Sequence, residues 1–247
     1  MIQELCEVNV RKSKVADRRQ SGFVNALRVH KALTADLEKR VLVWLAVRTP
    51  RFVNSDQLTT LGFIAQVLGG AAYAVAARDW RALWLVNFFL VLNWLGDSLD
   101  GTLARVRDQQ RPRYGFYVDH ISDTFGAMAL MSGLALSGYA HWQIAAGLLV
   151  GFYVLSIESF LATYTMGHFH LSHGIFGPTE IRIALILGNV ALMLHPYAHI
   201  AGRRFLLFDA GGAVAIVVML GMAISTSCHH IAVLYREEKL ELEAGGA

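Results

Sequence analysis

Long apolar runs separated by short polar breaks constrain this chain more than any other feature. A helix needs about 20 residues to cross a bilayer, and six runs reach roughly that length: 58–77, 82–101, 115–137, 142–165, 178–197 and 210–234. Charged residues form only 17% of the sequence, against about 25% in a soluble domain. We therefore predict an all-α polytopic membrane protein with six transmembrane helices. A soluble globular fold and a disordered chain are both excluded.

The basic residues are distributed unevenly around these runs. Six spans place both termini on one side of the bilayer, and that side holds 18 of the 22 Lys and Arg. By the positive-inside rule we expect this side to be cytoplasmic. The predicted organisation is a cytoplasmic N-terminal segment (1–56), a transmembrane domain (57–235) and a cytoplasmic tail (236–247). We expect no cleavable signal peptide and no nucleic-acid binding, since no basic stripe is interleaved with aromatic residues.

Residues 26–48 predict an amphipathic helix before the first span. Its apolar residues recur at roughly helical spacing: Leu37, Val41, Leu42, Trp44 and Leu45. Basic residues occupy other positions of the same segment. We expect this helix to lie in the headgroup layer; a helix packed on the cytoplasmic face of the protein is the alternative.

Four aspartates lie where the second and third runs approach the same side of the membrane. Asp97 and Asp100 are three residues apart, and Asp119 and Asp123 are four apart, so each pair shares one helix face. The loop between the helices is short, so they run antiparallel and the pairs can face each other. Each ionised group costs about 2.5–3.5 kcal/mol in a span, and the carboxylates repel one another. The cluster therefore predicts a site for Mg²⁺ or Mn²⁺, with room for two ions, in a cavity open to the cytoplasm.

Small and basic residues flank these aspartates. Gly101 and Ala104 keep one helix face open to a close approach, and Gly115 begins the next span. Arg105 can contact a phosphate or pair with the carboxylates. A divalent ion beside an arginine and small residues suits a substrate that carries a pyrophosphate. The alternatives are buried ion pairs between helices and a divalent-cation transporter whose aspartates bind the transported ion.

At these residues the sequence resembles the CDP-alcohol phosphotransferase family. The family motif is D-x2-D-G-x2-A-R followed by G-x3-D-x3-D, and all eight fixed positions are filled: Asp97, Asp100, Gly101, Ala104, Arg105, Gly115, Asp119 and Asp123. Nine residues separate Arg105 from Gly115, one more than is commonly written, and the insertion lies in a loop. Family members have six spans preceded by an interfacial helix. The segment GPTE, residues 177–180, resembles one in the choline and ethanolamine phosphotransferase branch.

The resemblance implies a membrane enzyme of phospholipid synthesis. It would move a substituted phosphate from a CDP-linked donor, CDP-diacylglycerol or a CDP-alcohol, to an alcohol hydroxyl, and release CMP. One of the two substrates would be a lipid. The four aspartates would hold two divalent ions, usually Mg²⁺, and Asp123 would be the general base. The donor would contact five residues, Asp97, Gly101, Ala104, Arg105 and Gly115. A homodimer in a bacterial cytoplasmic membrane, with its active site facing the cytoplasm, is also expected.

Three further residues are candidates for the site, each with an alternative. His120 matches an Asp-His pair of the choline and ethanolamine branch, which implies a second base; otherwise it supports a neighbouring group. Glu158 lies mid-span, where a carboxylate is functional by default: it accepts a proton, contacts a cationic headgroup, or bonds to a nearby serine or span. Arg182 is a phosphate-binding cation or an interface anchor beside Glu180. Because the cavity walls hold few basic residues, a neutral or zwitterionic acceptor is favoured.

Two groups of histidines complete the sequence prediction. His168, His170 and His173 have a spacing that can bind zinc, but no second cluster completes four ligands. We expect them in a polar loop near the headgroups. His229 and His230 end the last run, and we expect them to face the interface.

Overall fold

Helices occupy all six predicted spans. The computed structural model describes residues 35–166, 178–200 and 202–245. Within these ranges seven helices form: α1 Ala35–Arg48, α2 Ser55–Ala76, α3 Ala82–Val106, α4 Pro112–Leu136, α5 Trp142–Met166, α6 Pro178–Leu194 and α7 Leu207–Gly245. Strands β1 Tyr197–Ile200 and β2 Arg203–Leu206 form an antiparallel hairpin between α6 and α7.

Four of the described helices are long and apolar enough to cross a membrane. They are α2, α3, α5 and the Leu207–Lys239 part of α7. Helix α6 has only 17 residues, and charged residues in the first half of α4 lower its hydropathy. These four helices indicate an integral membrane protein, while the count of six spans stays a prediction.

Glycines bring α3 and α4 into backbone contact with α2. A side chain at Gly96 of α3 would collide with the backbone of Gly62 of α2. A side chain at Gly133 of α4 would likewise collide with the backbone of Gly70. Small residues at such positions let membrane helices approach closely and gain packing contacts. We call α2, α3 and α4 the glycine-contact group.

Helix α6 is attached to this group by buried polar side chains. The Tyr73 hydroxyl of α2 donates to Asn189 Oδ1 of α6 at 2.8 Å. The Asn189 amide in turn donates to Asn87 Oδ1 of α3 at 2.8 Å. Tyr73 and Asn189 are fully buried, so each polar atom depends on these partners. The position of α6 against α2 and α3 is thereby fixed.

Helix α1 packs one face on α3 and exposes apolar side chains on another. Leu42 and Ala46 are buried in a cluster that includes Leu99 and Leu103 of α3. Trp44, predicted on the apolar face, is 53% exposed. The buried face supports the packed-helix alternative, whose cytoplasmic position stays a prediction. The interfacial position stays a prediction that the exposed Trp44 supports; residues 26–34 of the predicted helix lie outside the described ranges.

The predicted all-α architecture holds for most of the described residues, and one short hairpin that was not predicted interrupts it. Helix α6 ends at Leu194, before the predicted end at residue 197, because Pro196 has no N–H to continue the helical hydrogen bonds. Tyr197 then pairs with Leu206 in the hairpin. Gly202 makes its turn with a φ of 78°, which is accessible to glycine. Helix α7 continues to Gly245, so the predicted tail is largely an extension of that helix.

Candidate active site

Three of the four predicted aspartates converge between α3 and α4. Oxygen atoms of Asp97, Asp119 and Asp123 all lie within 4.8 Å of one another, and the three side chains are half-buried. Asp119 and Asp123 are one turn apart on α4, and Asp97 faces them from α3. We call these three residues the carboxylate cluster. Anionic oxygen atoms at this separation fit a hard divalent cation such as Mg²⁺.

Asp100 points toward α2 instead. Its Oδ2 accepts a hydrogen bond from the Thr59 hydroxyl at 2.5 Å, and its Oδ1 accepts one from the backbone N–H of Gly101. The Ser55 hydroxyl also donates to the Asp100 carbonyl at 2.9 Å. The structure therefore places Asp100 between α3 and α2, next to the carboxylate cluster, and its role as a metal ligand stays a prediction.

Arg182 reaches the carboxylate cluster from α6. Its Nη2 donates to Asp97 Oδ2 at 2.6 Å, and its Nε donates to Asn93 Oδ1 at 2.7 Å. The Arg182 side chain is 11% exposed, so the alternative of an interface anchor is wrong. Asn93 donates in turn to the Gly62 carbonyl of α2 at 3.0 Å. The guanidinium therefore compensates the charge of one carboxylate while the glycine-contact group holds it in place.

Sequence reasoning missed Asn93 as part of the site. Its signal was available, because a polar side chain inside an apolar span usually has a specific partner. Asn93 also lies four residues before Asp97, so both occupy one face of α3.

The ring of His120 is held between two aromatic side chains. It stacks on Phe116 with a centroid distance of 4.2 Å and meets Phe160 edge-on at 4.8 Å. Its Nδ1 donates to the Phe116 carbonyl at 2.8 Å and lies 3.6 Å from Asp119 Oδ2. Because a carbonyl accepts from Nδ1, the neutral ring carries its lone pair on Nε2. This geometry suits either predicted role of His120.

A cavity of about 840 Å³ extends from the carboxylate cluster between α4, α5, α6 and α7. The carboxylate cluster and His120 line one part of it. Apolar side chains line most of the remainder, including Leu155, Ile181, Leu187, Val214 and Met219. A polar reacting group and an apolar chain can therefore occupy the cavity together.

The residues predicted to contact the donor lie at the neighbouring ends of α3 and α4. Arg105 Nη2 donates to the Thr102 hydroxyl at 2.9 Å. Gly101 and Ala104 are half-buried on the same part of α3, whereas Gly115 is exposed on α4. Open space surrounds the position where a Gly115 side chain would stand. Their contacts with a nucleotide stay predictions.

Glu158 joins α5 to α7. Its Oε1 lies 2.5 Å from His230 Nδ1, and its side chain is 8% exposed. This pair realises the predicted alternative of a bond to a neighbouring span, whereas Ser156 and Ser159 line the cavity from α5. The prediction that His230 faces the interface was wrong, because the partly buried ring pairs with Glu158. The loop histidines 168, 170 and 173 lie outside the described residues.

This geometry can be compared with known proteins. The sequence profile described as CDP-alcohol phosphatidyltransferase matches residues 52–228, well over half of the chain. The chain belongs to this family. The predicted resemblance is therefore confirmed, and the family is one of membrane transferases of phospholipid biosynthesis. The family implies a CDP-linked donor and an alcohol acceptor.

Three relatives match parts of the chain. An archaetidylinositol phosphate synthase from Pyrococcus horikoshii is 26% identical over 104 residues, which are 42% of this chain and 52% of the relative. A phosphatidylinositol phosphate synthase from Cutibacterium acnes is 33% identical over 84 residues, or 34% of this chain and 38% of the relative. An uncharacterized protein from Aquifex aeolicus is 34% identical over 118 residues, which are 45% of this chain and 58% of the relative. These matches span between 38% and 58% of the length of each relative.

Proposed function

We propose that this protein transfers a substituted phosphate from a CDP-linked donor to an alcohol hydroxyl and releases CMP. The carboxylate cluster carries the proposal, because it lies in the wall of a cavity whose remaining walls are mostly apolar. A lipid substrate would place its chain against the apolar walls and its reacting group beside the carboxylates. The six-span topology would make this end of the cavity cytoplasmic, in a bacterial inner membrane, and we expect a homodimer.

We propose that Asp97, Asp119 and Asp123 hold divalent metal, with Asp100 completing a set for two ions. Mg²⁺ fits these hard oxygen ligands, and Mn²⁺ is the alternative. When bound, the metal would supply positive charge that stabilises the donor pyrophosphate and the departing CMP. Arg182 supports this arrangement because it orients Asp97 through a 2.6 Å bond.

The donor would lie over the ends of α3 and α4. The Arg105 guanidinium is suited to binding a phosphate of the donor. Gly101, Ala104 and Gly115 would let the nucleotide approach the helix backbones, and the open space at Gly115 supports this placement.

Asp123 would act as the general base. It takes the proton of the acceptor hydroxyl, and the hydroxyl oxygen attacks the β-phosphorus of the donor. The bond from that phosphorus to the CMP oxygen breaks, and CMP leaves with the electron pair. Asp123 lines the cavity, where an acceptor hydroxyl can reach it. His120 lines the same cavity with its lone pair on Nε2, so it is the second candidate for the base.

The choice of acceptor rests on two different observations. Arg182 is already paired with Asp97 and Asn93, which favours an acceptor with a neutral or zwitterionic headgroup. The names of two relatives, archaetidylinositol phosphate synthase and phosphatidylinositol phosphate synthase, favour inositol phosphate instead. With inositol phosphate as acceptor, the lipid would be carried by the CDP.

A CMP-release screen tests the function. The purified full chain, reconstituted in lipid nanodiscs with Mg²⁺, is given CDP-diacylglycerol, CDP-choline or CDP-ethanolamine, each with lipid or water-soluble acceptors, inositol phosphate included. We expect one pairing to give metal-dependent CMP. Asp123→Asn should slow it by about 10²- to 10⁴-fold, the range for a lost general base.

Asp108→Asn is the matched control for this variant. Asp108 is exposed and has a φ of 53°, which asparagine tolerates, so CMP release should match that of the parent protein. Native rates in Asp123→Asn would reject the base assignment. Absence of CMP with every donor, together with Mn²⁺ uptake by proteoliposomes, would favour the transporter alternative.

A further inference from the structure

One carboxylate oxygen of α1 connects the two helices that hold Asp97 and Arg182. Glu38 Oε1 accepts hydrogen bonds from two side chains of α3, Trp94 Nε1 at 2.9 Å and Ser98 Oγ at 3.2 Å. The same oxygen accepts a third bond from Thr179 Oγ1 of α6 at 3.0 Å. The half-buried Glu38 side chain therefore joins α1, α3 and α6 at one point.

The partners of Glu38 adjoin residues of the site. Ser98 follows Asp97 directly, and Thr179 precedes Arg182 by three residues, about one helical turn. Arg182 and Asp97 themselves form an ion pair at 2.6 Å between the same two helices. The Glu38 contacts therefore restrain both backbones whose relative position sets this ion pair.

We propose that Glu38 is a positioning residue that aligns Asp97 with Arg182 and thereby shapes the carboxylate cluster for metal. Its part in catalysis rests on the proposed transfer reaction, whereas its part in metal binding rests only on the proposed metal site. Thr179 lies in the first turn of α6, which begins at Pro178. Hydrogen bonds to an ionised acceptor are roughly twice as strong as those between neutral groups. Without the Glu38 carboxylate, this turn loses its bond to α1 and can shift, and Arg182 shifts with it.

Attachment of α1 alone does not account for these contacts. Leu42 and Ala46 already bury α1 against α3. Arg107, which follows the last residue of α3, also holds the linker after α1, because its Nη2 donates to the Thr49 and Pro50 carbonyls at 2.9 Å each. The specific contribution of Glu38 is its bond to Thr179 of α6.

Metal affinity is the measurement that separates positioning from simple stabilisation. The variants are Glu38→Ala, Glu38→Gln and the isosteric Thr179→Val, with the exposed neighbour Lys39→Ala as the matched control. Mn²⁺ binding to each purified full-length protein is followed by the EPR signal of free Mn²⁺. The Mg²⁺ dependence of CMP release and the melting temperature are measured in parallel.

We expect Glu38→Ala and Thr179→Val to weaken Mn²⁺ binding. Loss of an outer partner of a metal ligand costs about 10- to 100-fold in affinity, and Glu38 acts one residue further away, so we expect roughly three- to tenfold. Glu38→Gln keeps an acceptor oxygen and should recover most of the affinity. The double variant should lose no more than Glu38→Ala alone, because both changes break the same bond. Lys39→Ala should bind Mn²⁺ as the parent protein does.

Two results would overturn the proposal. One is native Mn²⁺ affinity in Thr179→Val, which is informative even where Glu38→Ala fails to fold. The other is a fall in melting temperature with unchanged Mn²⁺ affinity and Mg²⁺ dependence in Glu38→Ala. Should the parent protein bind Mn²⁺ but release no CMP from any donor, the proposed function fails, and weaker Mn²⁺ binding in these variants still supports the positioning role.

Discussion

The two sides of α4 meet their neighbours in opposite ways. Toward α2, Gly133 leaves no space for even a methyl group, since it would collide with the Gly70 backbone, and a methyl group at Gly126 would displace the Gln66 side chain. Toward α5, α6 and α7, the same helix lines a cavity of about 840 Å³ with Asp119 and Asp123. One helix therefore has a side in tight contact and a side that leaves space.

The two sides of α4 meet two different requirements of the site, a fixed geometry for the carboxylates and space for the substrates. The carboxylates must keep a fixed geometry, and backbone contacts within the glycine-contact group hold α3 and α4 in place. The substrates need room, which the cavity between α4, α5, α6 and α7 provides. Helix α6 carries Arg182 and also lines the cavity, so it must be held in a fixed position against α2 and α3. The buried hydrogen bonds of Asn189 to Tyr73 and Asn87 provide this attachment.

The largest expected effect comes from adding a methyl group on the tight side. In Gly133→Ala the new methyl would meet the Gly70 backbone, which cannot move aside as a side chain can. Overpacking of this kind costs typically 1–3 kcal/mol, and we expect about 3 kcal/mol or more here because backbone meets backbone. The measurement is the yield of folded protein by size-exclusion chromatography, with the melting temperature of the folded fraction.

Gly221→Ala on α7 is the control, because its methyl group would stand in open space. We expect its yield and melting temperature to match those of the parent protein or to rise slightly, since alanine favours helix. Equal stability of the two alanine variants would show that the glycine contacts do not restrain α4.

The sequence was informative where chemistry depends on local spacing. Asp119 and Asp123 share a helix face by their separation of four, and the structure places both in the carboxylate cluster. The positions of the helices α2 to α7 followed from apolar runs in the same way. Asp100 shows the limit of such reasoning: the spacing puts it on one face with Asp97, but Thr59 of α2 accommodates its carboxylate.

Contacts between distant segments could not be predicted. Glu158 and His230 are 72 residues apart, and their pairing depends on how α5 and α7 rotate against each other. The environment of Arg182 depends in the same way on the rotation of α6. The hairpin was missed because Pro196 lies inside the predicted run 178–197 and Gly202 lies in the break after it, where a short polar connection was the simpler prediction.

A bulky side chain on the open side tests whether the cavity binds lipid. Ala215 of α7 lines the cavity, and Ala215→Trp would fill part of it. The excluded part of the chain would stay in the bilayer and lose its packing contacts in the cavity. Each such contact contributes about 0.1–0.2 kcal/mol, so losing about ten of them should raise the KM for the lipid substrate roughly tenfold. The KM for the water-soluble substrate should stay within about twofold, since the carboxylate cluster is unchanged. CMP release at varied lipid concentration gives both values.

Val217→Trp is the control, because Val217 is 72% exposed on the same helix. We expect its KM for lipid to equal that of the parent protein. An equal rise in both variants would attribute the effect to the surface of α7. An unchanged KM in Ala215→Trp would mean that the lipid chain binds elsewhere.

The smallest expected effect concerns the hydrogen bond that attaches α6 to α2. Tyr73→Phe removes the hydroxyl that α2 donates to Asn189 of α6 and leaves the ring in place. Asn189 Oδ1 would then be buried without that donor, which costs about 1–2 kcal/mol. We expect a melting temperature lower by a few degrees and an unchanged KM for both substrates, because the other bonds of α6 remain, among them Asn189 to Asn87 and Arg182 to Asn93.

Tyr164→Phe is the control, because the Tyr164 side chain is 89% exposed, and it should leave the melting temperature unchanged. A changed KM in Tyr73→Phe would show instead that this single bond sets the width of the cavity.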